Sequence, residues 1–206
     1  RYKQLQPHRR TGFMRYFRFS QRLYAQLVWQ RYGQAQQVVL TLDRTEWYCR
    51  GQWVQVLMLG IAHQGMSIPL LWQTHNRRGN SPVATRDALL RAFCSWIPRQ
   101  LGQQVWWTAD REFTGKDWFK RLTDSQMHFC MRLKHNWMVG PRGRTQPLHR
   151  LFETPTWRAL RKPRWVSGQW LYLSGYRRAS GEYVLVGSAT GGVNHRVLYG
   201  QRWGIE

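Results

Sequence analysis

The sequence predicts an α/β fold, in which helices flank a mixed five-stranded sheet and a β-rich insertion precedes a last helix. Two short apolar runs, Val38 to Leu42 and Gln104 to Ala109, are each followed by an aspartate and indicate strands buried on both faces. Segments with apolar residues at helical spacing come between and after such runs. After about Val139 the composition shifts to Gly, Pro, Trp and Arg, which is typical of strands and turns.

The first predicted element is a basic helix that leads into the sheet. Residues 1–37 contain eight basic side chains and no acidic one. Within them, residues 14–32 place apolar groups such as Tyr24 and Leu27 close to helical spacing. The run Val38 to Leu42 then predicts the first strand, with Asp43 at its end.

A hairpin is expected next along the chain. The apolar runs Trp53 to Ala62 and Met66 to Trp72 are separated only by a short polar turn, which favours two antiparallel strands. Pro69 lies inside the second run. Because proline cannot donate to a ladder of backbone hydrogen bonds, we expect this third strand at an edge of the sheet.

A helix is predicted after Ser81, which offers an N-cap with Pro82 at the first helical position. Apolar residues from Leu89 to Ile97 follow at helical spacing, and Pro98 closes the segment. After the lead-in helix, the predicted elements up to this point are therefore three strands followed by one helix.

The second aspartate, Asp110, follows the predicted strand Gln104 to Ala109. A capping box of Thr114 with Asp117 predicts the start of another helix. The run Met127 to Lys134 then predicts a fifth strand, which completes the core.

The remainder of the chain is predicted as a β-rich insertion and the start of a last helix. The strands Trp170 to Tyr176 and Tyr183 to Ser188 are expected within the insertion, which carries ten basic residues and two acidic ones. The predicted organisation is a basic helical lead-in at 1–37, a core at 38–138, the β-rich insertion at 139–198 and the start of the last helix at 199–206. Since the chain begins with Arg1 and stops at Glu206, we expect a fragment of a longer protein.

The charge balance is strongly basic, with 32 Lys and Arg against 10 Asp and Glu and a formal net charge of +22. Such a surface favours a polyanionic partner, whose condensed counterions are released on binding. Nucleic acid is the leading partner; a ribosomal-type structural protein and a protein that lies on acidic membranes are the alternatives. The longest apolar run, about Val56 to Ala62, is far shorter than the roughly 20 residues that a membrane-spanning helix needs.

Cysteine and tryptophan usage adds two expectations. Cys49, Cys94 and Cys130 are widely spaced without a Cys-x-x-Cys pair, which favours reduced, buried thiols of a cytosolic protein. The chain has 13 tryptophans. Packing is the expected role for most of them, and others could stack on unpaired bases, a sequence-tolerant way to hold opened DNA.

The positions of the few acids indicate where the chemistry lies. If the strands before Asp43 and Asp110 are parallel neighbours, they lie about 5 Å apart, and both carboxylates emerge at the carboxyl edge of one sheet. Carboxylate oxygens suit hard cations such as Mg²⁺. A pair of such ions roughly 4 Å apart serves many nucleases and polymerases at phosphodiesters. The alternative is that each aspartate only caps the following turn.

The last segment favours the catalytic interpretation. Tyr199, Arg202 and Glu206 have the spacing Tyr-x2-Arg-x3-Glu, which puts all three on one helical face. Here the sequence resembles the insertion-sequence transposases of the DDE class, in particular the family with a Tyr-Arg-Glu-Lys signature. LTLDRTEW and TADREF resemble the surroundings of that family's first and second acids, at Asp43 and Asp110. The resemblance runs from about Val38 to the last residue, and the matching lysine would lie seven residues beyond Glu206.

The resemblance implies an RNase H-like catalytic core with sheet order 3-2-1-4-5, in which strands 1 and 4 are adjacent and parallel and strand 3 lies at an edge. It implies that Asp43 bridges two Mg²⁺ or Mn²⁺ ions, and that Asp110 and Glu206 each complete one site. Tyr199, Arg202 and Arg111 would position phosphate. The implied partners are the double-stranded DNA of transposon ends and target, contacted partly by the insertion, with a dimer in the active complex. The resemblance also implies a bacterial protein of the cytoplasm that associates with the nucleoid.

Several alternatives stay open. Glu46 and Glu112 are possible substitutes for the proposed metal ligands, since they lie close to them in sequence. An RNase H-like nuclease or resolvase would use the same fold for hydrolysis alone. A truncated or domesticated transposase remnant would only bind DNA, because a chain that stops at Glu206 lacks the rest of its last helix.

Overall fold

The computed structural model describes residues 18–76, 78–141 and 143–203. The larger elements follow in the order α1 (Gln21–Tyr32), β1 (Gln37–Cys49), β2 (Gln52–His63), β3 (Met66–His75), α2 (Val83–Trp96), β4 (Gln104–Ala109), α3 (Lys116–Asp124) and β5 (His128–Arg132). They continue with the short strands β6 (Met138–Val139), β7 (Gln146–Pro147), β8 (Arg158–Ala159) and β9 (Arg164–Val166), and then with β10 (Gln169–Arg177), β11 (Tyr183–Ser188) and α4 (His195–Trp203). Single 3-10 turns lie at Arg111–Phe113 and Leu148–Leu151.

The five core strands are ordered β3-β2-β1-β4-β5, as expected. Strands β1 and β4 are parallel neighbours, and so are β4 and β5. The edge position of β3, predicted from Pro69, is confirmed, and the pairing of β2 with β3 shifts register between Leu59 and Gly60, beside Pro69. A proline is tolerated there because an edge strand has one side without ladder bonds.

The β-rich segment extends the same sheet. Strand β11 pairs antiparallel with β5 through Val186 and Gly187, and β10, β9, β6 and β7 continue the order, with β8 also paired to β10. Leu133 donates its backbone N–H to the carbonyl of Leu185 at 2.8 Å and ties the end of β5 to β11. The two strands predicted at 170–176 and 183–188 are confirmed.

The two faces of the sheet are covered unequally. Alternate residues of β1 and β4, such as Leu40, Leu42 and Trp107, belong to the larger core, in which α1, α2 and α3 pack. The residues between them, such as Val39 and Trp106, form a smaller core with Leu198 and Tyr199 of α4. Because successive side chains of a strand point to opposite faces, α4 covers this second face of β1 and β4, and within the described residues it is the one helix that does so.

Four predicted boundaries are wrong. Strand β1 does not end before Asp43; it continues to Cys49, because its antiparallel pairing with β2 outlasts its parallel pairing with β4. Helix α2 begins at Val83 with Pro82 at the N-cap, one residue later than predicted. Helix α3 has Gly115 at its N-cap without a side-chain cap bond, so Thr114 and Asp117 form no capping box; the Thr114 hydroxyl donates to the Arg111 carbonyl instead. The last helix begins at His195, before Tyr199.

Helix α1 begins at Gln21, where the Ser20 hydroxyl accepts from the Leu23 N–H, and the start of the predicted helix at 14–17 lies outside the described residues. Cys130 is buried as expected, whereas Cys94 is exposed because it lies on the outer side of α2. In the described ranges, no helix is both long and apolar enough to cross a membrane.

Candidate active site

The point at which β1 and β4 part brings the first two predicted acids together. The last parallel pair is Leu42 with Ala109, and Asp43 and Asp110 follow immediately on the two strands. Neighbouring strands lie about 5 Å apart. The buried Thr108 hydroxyl donates to the Leu40 carbonyl at 2.9 Å. This bond fixes the register of β1 and β4 just before the two acids. Asp43 and Asp110 are called the acid pair below.

Strand alternation places the acid pair on the face that α4 covers. Val39 and Trp106 belong to the core under α4. Side chains two and four residues further along a strand share their face, so Asp43 and Asp110 point to the same side as α4. This is the side from which the last predicted acid, Glu206, would have to approach.

Asp43 receives two polar contacts and stays accessible. Its Oδ1 accepts from the backbone N–H of Arg44 at 2.9 Å. The Nη2 of Arg202 lies 3.3 Å from the same oxygen. The Arg202 side chain is only 8% exposed, whereas that of Asp43 is 47% exposed. A buried cation on α4 therefore orients an accessible carboxylate.

Asp110 is held less tightly. Its Oδ1 is buried without a hydrogen-bond partner, and the Nη1 of Arg132 on β5 lies 3.8 Å away. The guanidinium of Arg132 is also engaged by Glu182 and by the Tyr183 carbonyl at 3.3 Å. A buried carboxylate oxygen without a donor costs free energy unless a cation or another ligand satisfies it.

Helix α4 is anchored at its start by His195. This ring is 5% exposed, with Nδ1 3.0 Å from the Ser174 hydroxyl and Nε2 3.2 Å from the Thr190 carbonyl. Since a carbonyl only accepts, Nε2 donates and the Ser174 hydroxyl donates to Nδ1. Burial lowers the pKa of His195 below its ordinary value, and the hydrogen bond to the Thr190 carbonyl opposes this shift. The anchor ties α4 to β10 and to the loop that follows β11.

The other predicted residues of α4 have different positions. Tyr199 is 2% exposed and packs in the small core under the helix, where it holds α4 on the sheet. Arg202 reaches Asp43. Glu206 lies outside the described residues. Thus two of the three predicted metal ligands and one predicted phosphate-positioning residue come together in the described part of the chain.

A second polar group lies on the opposite face of β1. The guanidinium of Arg44 contacts Glu46 at 2.9 Å and Glu112 at 2.8 Å, and it also donates to the Gly79 carbonyl. Glu46 accepts further bonds from Gln55, at 3.2 Å, and from the Gly79 N–H, at 3.3 Å. Arg44, Glu46 and Glu112 are called the arginine cluster below. Its acids are already paired within the protein.

Burial is the main cause that raises the pKa of Glu112 above its ordinary value. Arg44 opposes this shift, and the nearby charges of Asp110, Asp43 and Glu46 add to it. The charges of the acid pair therefore act on Glu112 of the arginine cluster, although the two groups lie on opposite sides of the sheet.

Arg111 lies in the 3-10 turn directly after Asp110 and is exposed. Together with Lys134 and Asn80 it lines a cavity of about 350 Å³ that also contains Glu112. A cation in this position can attract a phosphate to the carboxyl edge of β4.

The donor set fits a hard divalent cation but is incomplete in the described residues. Among residues 18–76, 78–141 and 143–203, no group of three His, Cys, Asp or Glu side chains could hold a metal ion. The acid pair offers carboxylate oxygens, one of them buried without a donor, and such oxygens are the ligands that Mg²⁺ and Mn²⁺ prefer. A complete site needs at least one more ligand.

Sequence reasoning missed Arg132 and Arg44. Arg132 ends β5 and follows Cys130 on the face of α4, so strand alternation could have placed it beside Asp110. Arg44 adjoins Asp43 in sequence, but no sequence pattern predicts its ion pairs with Glu46 and Glu112. The distinction required knowing which face of β1 each side chain occupies.

Comparisons with known proteins give two results. A family model described as Transposase DDE domain matches residues 34–206. A solved structure, "Cryo-EM structure of piggyBac transposase synaptic complex with hairpin DNA (SNHP)", is similar with 14% identity and a TM-score of 0.49. That similarity covers 81% of this chain and 38% of the other. No curated protein matches the chain.

Proposed function

Because the chain belongs to the transposase DDE domain family, we propose that it is the catalytic core of an insertion-sequence DNA transposase in which Asp43, Asp110 and Glu206 form the active site. The proposal includes membership of the group with the Tyr-Arg-Glu-Lys signature, which rests on Tyr199, Arg202 and Glu206 in the sequence.

The observation that carries the proposal is the position of the acid pair. Asp43 and Asp110 follow the last parallel residue pair of adjacent strands and face the same helix, α4. One oxygen of Asp110 is buried without a donor, and Asp43 is about half exposed. Besides their contacts with Arg202 and Arg132, the two carboxylates offer oxygens that can bind a metal ion.

In this proposal Asp43, Asp110 and Glu206 would together hold two Mg²⁺ or Mn²⁺ ions, with Asp43 as the ligand common to both sites and with Asp110 and Glu206 each completing one. Bound there, the ions would supply Lewis-acid stabilisation of the phosphate charge. Arg202 keeps the carboxylate of Asp43 oriented, and Arg132 restrains that of Asp110. Arg111 draws a phosphate of the DNA to the edge of β4. Tyr199 packs under α4 and holds this helix on the sheet.

Two displacements at phosphorus make up the proposed reaction. In the first, a water oxygen bonds to phosphorus while the bond to the 3′ oxygen breaks, and that oxygen takes up a proton to become a free 3′ hydroxyl. In the second, this hydroxyl loses its proton and attacks a phosphodiester of the target, whose own 3′ oxygen leaves. Each step forms one P–O bond and breaks one.

The proposed partners are the double-stranded DNA of the transposon ends and of the target. A net charge of +22 suits such a polyanion. The basic residues of the segment 139–198 would extend the contact with the transposon ends. Since two ends must be joined in one reaction, the active complex would be a dimer. We propose a nucleoid-associated bacterial protein.

The test is a cleavage and strand-transfer assay on DNA that carries paired transposon ends, with Mg²⁺ or Mn²⁺ and with a chelator as control. Asp43→Asn and Asp110→Asn should each reduce cleavage by about a thousandfold, a loss typical of groups that stabilise transition-state charge. DNA binding should be retained, because neither change removes a basic residue.

The matched control is Glu46→Gln, which alters an acid three residues from Asp43 that is already paired with Arg44. It should retain most of the cleavage. If Asp43→Asn cleaves as well as the unaltered chain, the assignment of the active site is wrong. If cleavage occurs without strand transfer, the chain is an RNase H-like nuclease, and if neither occurs it only binds DNA.

A further inference from the structure

The hairpin formed by β1 and β2 projects beyond the parallel part of the sheet. Parallel pairing with β4 stops at Leu42, whereas pairing with β2 continues to Cys49 and Gln52. Arg50 and Gly51 form the turn with φ of 49° and 79°. The hairpin therefore extends from the acid pair into the space beside the carboxyl edge of the sheet.

The two faces of this hairpin differ. On the face of the arginine cluster, the rings of Tyr48 and Trp53 lie 5.2 Å apart, and the guanidinium of Arg78 lies 4.8 Å from the Trp53 ring centre. These contacts stiffen the hairpin from one side. On the other face, Asp43, Thr45 and Trp47 follow one another at every second position.

Trp47 is a large, exposed aromatic side chain of β1 on the face of the acid pair. It is 52% exposed. At about 3.4 Å per residue along an antiparallel strand, it lies roughly 14 Å beyond Asp43. That span is about four stacked nucleotides at 3.4 Å each. An indole ring in this place is within reach of a DNA strand that has a phosphate at the acid pair and runs along the hairpin.

We propose that Trp47 is a stacking platform for unpaired bases of DNA, within about four nucleotides of the phosphodiester bound at the acid pair. The inference rests on the proposed function, since it takes the acid pair as the position of that phosphodiester.

DNA is the occupant that fits the surroundings. Thr45, the residue between Asp43 and Trp47 on this face, carries no charge. Two exposed cations lie on the same hairpin or against it: Arg50 at the turn, and Arg78 on the opposite face, against the Trp53 ring. Stacking on an aromatic ring does not depend on base identity, and backbone phosphates are attracted by the neighbouring cations.

The experiment compares neighbouring residues that lie on opposite faces of one strand. The affinity of the 206-residue chain for a fluorescent single-stranded thymidine oligonucleotide is measured by anisotropy in buffer with chelator, and a duplex of equal length serves as second probe. Trp47→Ala should weaken single-strand binding by about tenfold, within the range of one lost base stack. Trp47→Phe should restore most of it. Tyr48→Ala, with a side chain 64% exposed on the other face, should change little.

Three results would overturn the proposal: unchanged single-strand binding in Trp47→Ala, equal losses in Trp47→Ala and Tyr48→Ala, or an equal loss on duplex and single strand. Sedimentation of the protein without DNA identifies another occupant, because a self-associated state that disappears in Trp47→Ala would assign this face to a second copy. The binding buffer contains no divalent ion, so these binding results do not depend on cleavage. Failure of the cleavage assay would refute the proposed function, whereas failure of the binding assay would refute only the role of Trp47.

Discussion

Two polar groups flank β1 where it leaves the parallel sheet, and they differ in how completely their charges are satisfied. The arginine cluster joins one cation to two acids at 2.9 and 2.8 Å, with amide and backbone donors around them. The acid pair has longer contacts, 3.3 Å from Arg202 to Asp43 and 3.8 Å from Arg132 to Asp110.

The difference separates acids that stabilise the fold from acids that remain available for a ligand. Glu46 and Glu112 have partners that would be lost if they turned toward a metal. Asp110 has a buried oxygen that lacks a hydrogen bond, so a ligand there would improve its environment. Glu46 lies three residues after Asp43 and Glu112 two residues after Asp110, and the two glutamates differ from the aspartates because both contact Arg44.

After the loss of Asp43 or Asp110 themselves, the largest effect is expected from the link between α4 and the acid pair. Arg202→Met removes the buried cation that orients Asp43, and we expect cleavage to fall about a hundredfold, as is typical for loss of a group that orients a ligand. Arg202→Lys should recover only part of it, because an ammonium lacks the planar fork of a guanidinium. Cleavage rates measured at equal folded concentration test this.

Arg196→Met is the control for that variant, since it removes one exposed cation from the same helix. It should reduce cleavage far less. Equal losses of cleavage in the two variants would show that the overall charge of α4 matters and that the orientation of Asp43 does not. The contrast between the acid pair and the arginine cluster would then not bear on function.

The next effect concerns stability. Arg44→Met leaves Glu46 and Glu112 half-buried without their cation, which should lower the free energy of unfolding by about 2 kcal/mol, less than for a fully buried pair. For a domain of this size the melting temperature should fall by about 5 °C. Thermal unfolding measures the change, and adding Glu46→Gln and Glu112→Gln should recover most of it.

The exposed pair Lys120 and Asp124 provides the matched control, with side chains 66% and 59% exposed. Lys120→Met should change the free energy of unfolding by no more than about 0.5 kcal/mol. If it destabilises the protein as much as Arg44→Met does, the arginine cluster has no special structural role.

The smallest effect is a pH dependence. The pKa of Glu112 is raised in the folded protein, chiefly by burial, so the folded state holds this proton more tightly than the unfolded chain does. The free energy of unfolding should therefore fall, by less than about 1 kcal/mol, as the pH rises from the ordinary pKa of a glutamate through the raised pKa of Glu112. Urea unfolding at a series of pH values measures this slope. Glu112→Gln should remove it, and an unchanged slope would contradict the assignment.

Much of the core fold could be predicted because local patterns and global topology agree. The buried runs before Asp43 and Asp110, the hairpin between them and the edge position of Pro69 together fit the observed order. Caps were less predictable, because at Thr114 and Ser81 the actual N-cap is the neighbouring residue, and a shift of one position changes no hydrophobic pattern.

The candidate site was predictable in part. Asp43 and Asp110 stand out because few acids follow buried strands, and Arg202 because of its spacing on the last helix. The length of β1 was not predictable, since residues 44–49 lack the continuous apolar run of residues 38–42 and pair only with β2. The pairing of β11 with β5 was not predictable either, because these two strands are far apart in the chain and no local sequence pattern indicates which strands pair.

By itself the sequence determined the basic surface, the alternation of strands and helices and the two aspartates beside neighbouring strands, because charge, hydrophobic period and chain order are local properties. The tertiary structure alone decided which acids share a face with α4 and which are neutralised by Arg44 on the other side. The physical reason is that a strand alternates its side chains between two faces, and only the packing of helices and neighbouring strands gives each face its own partners.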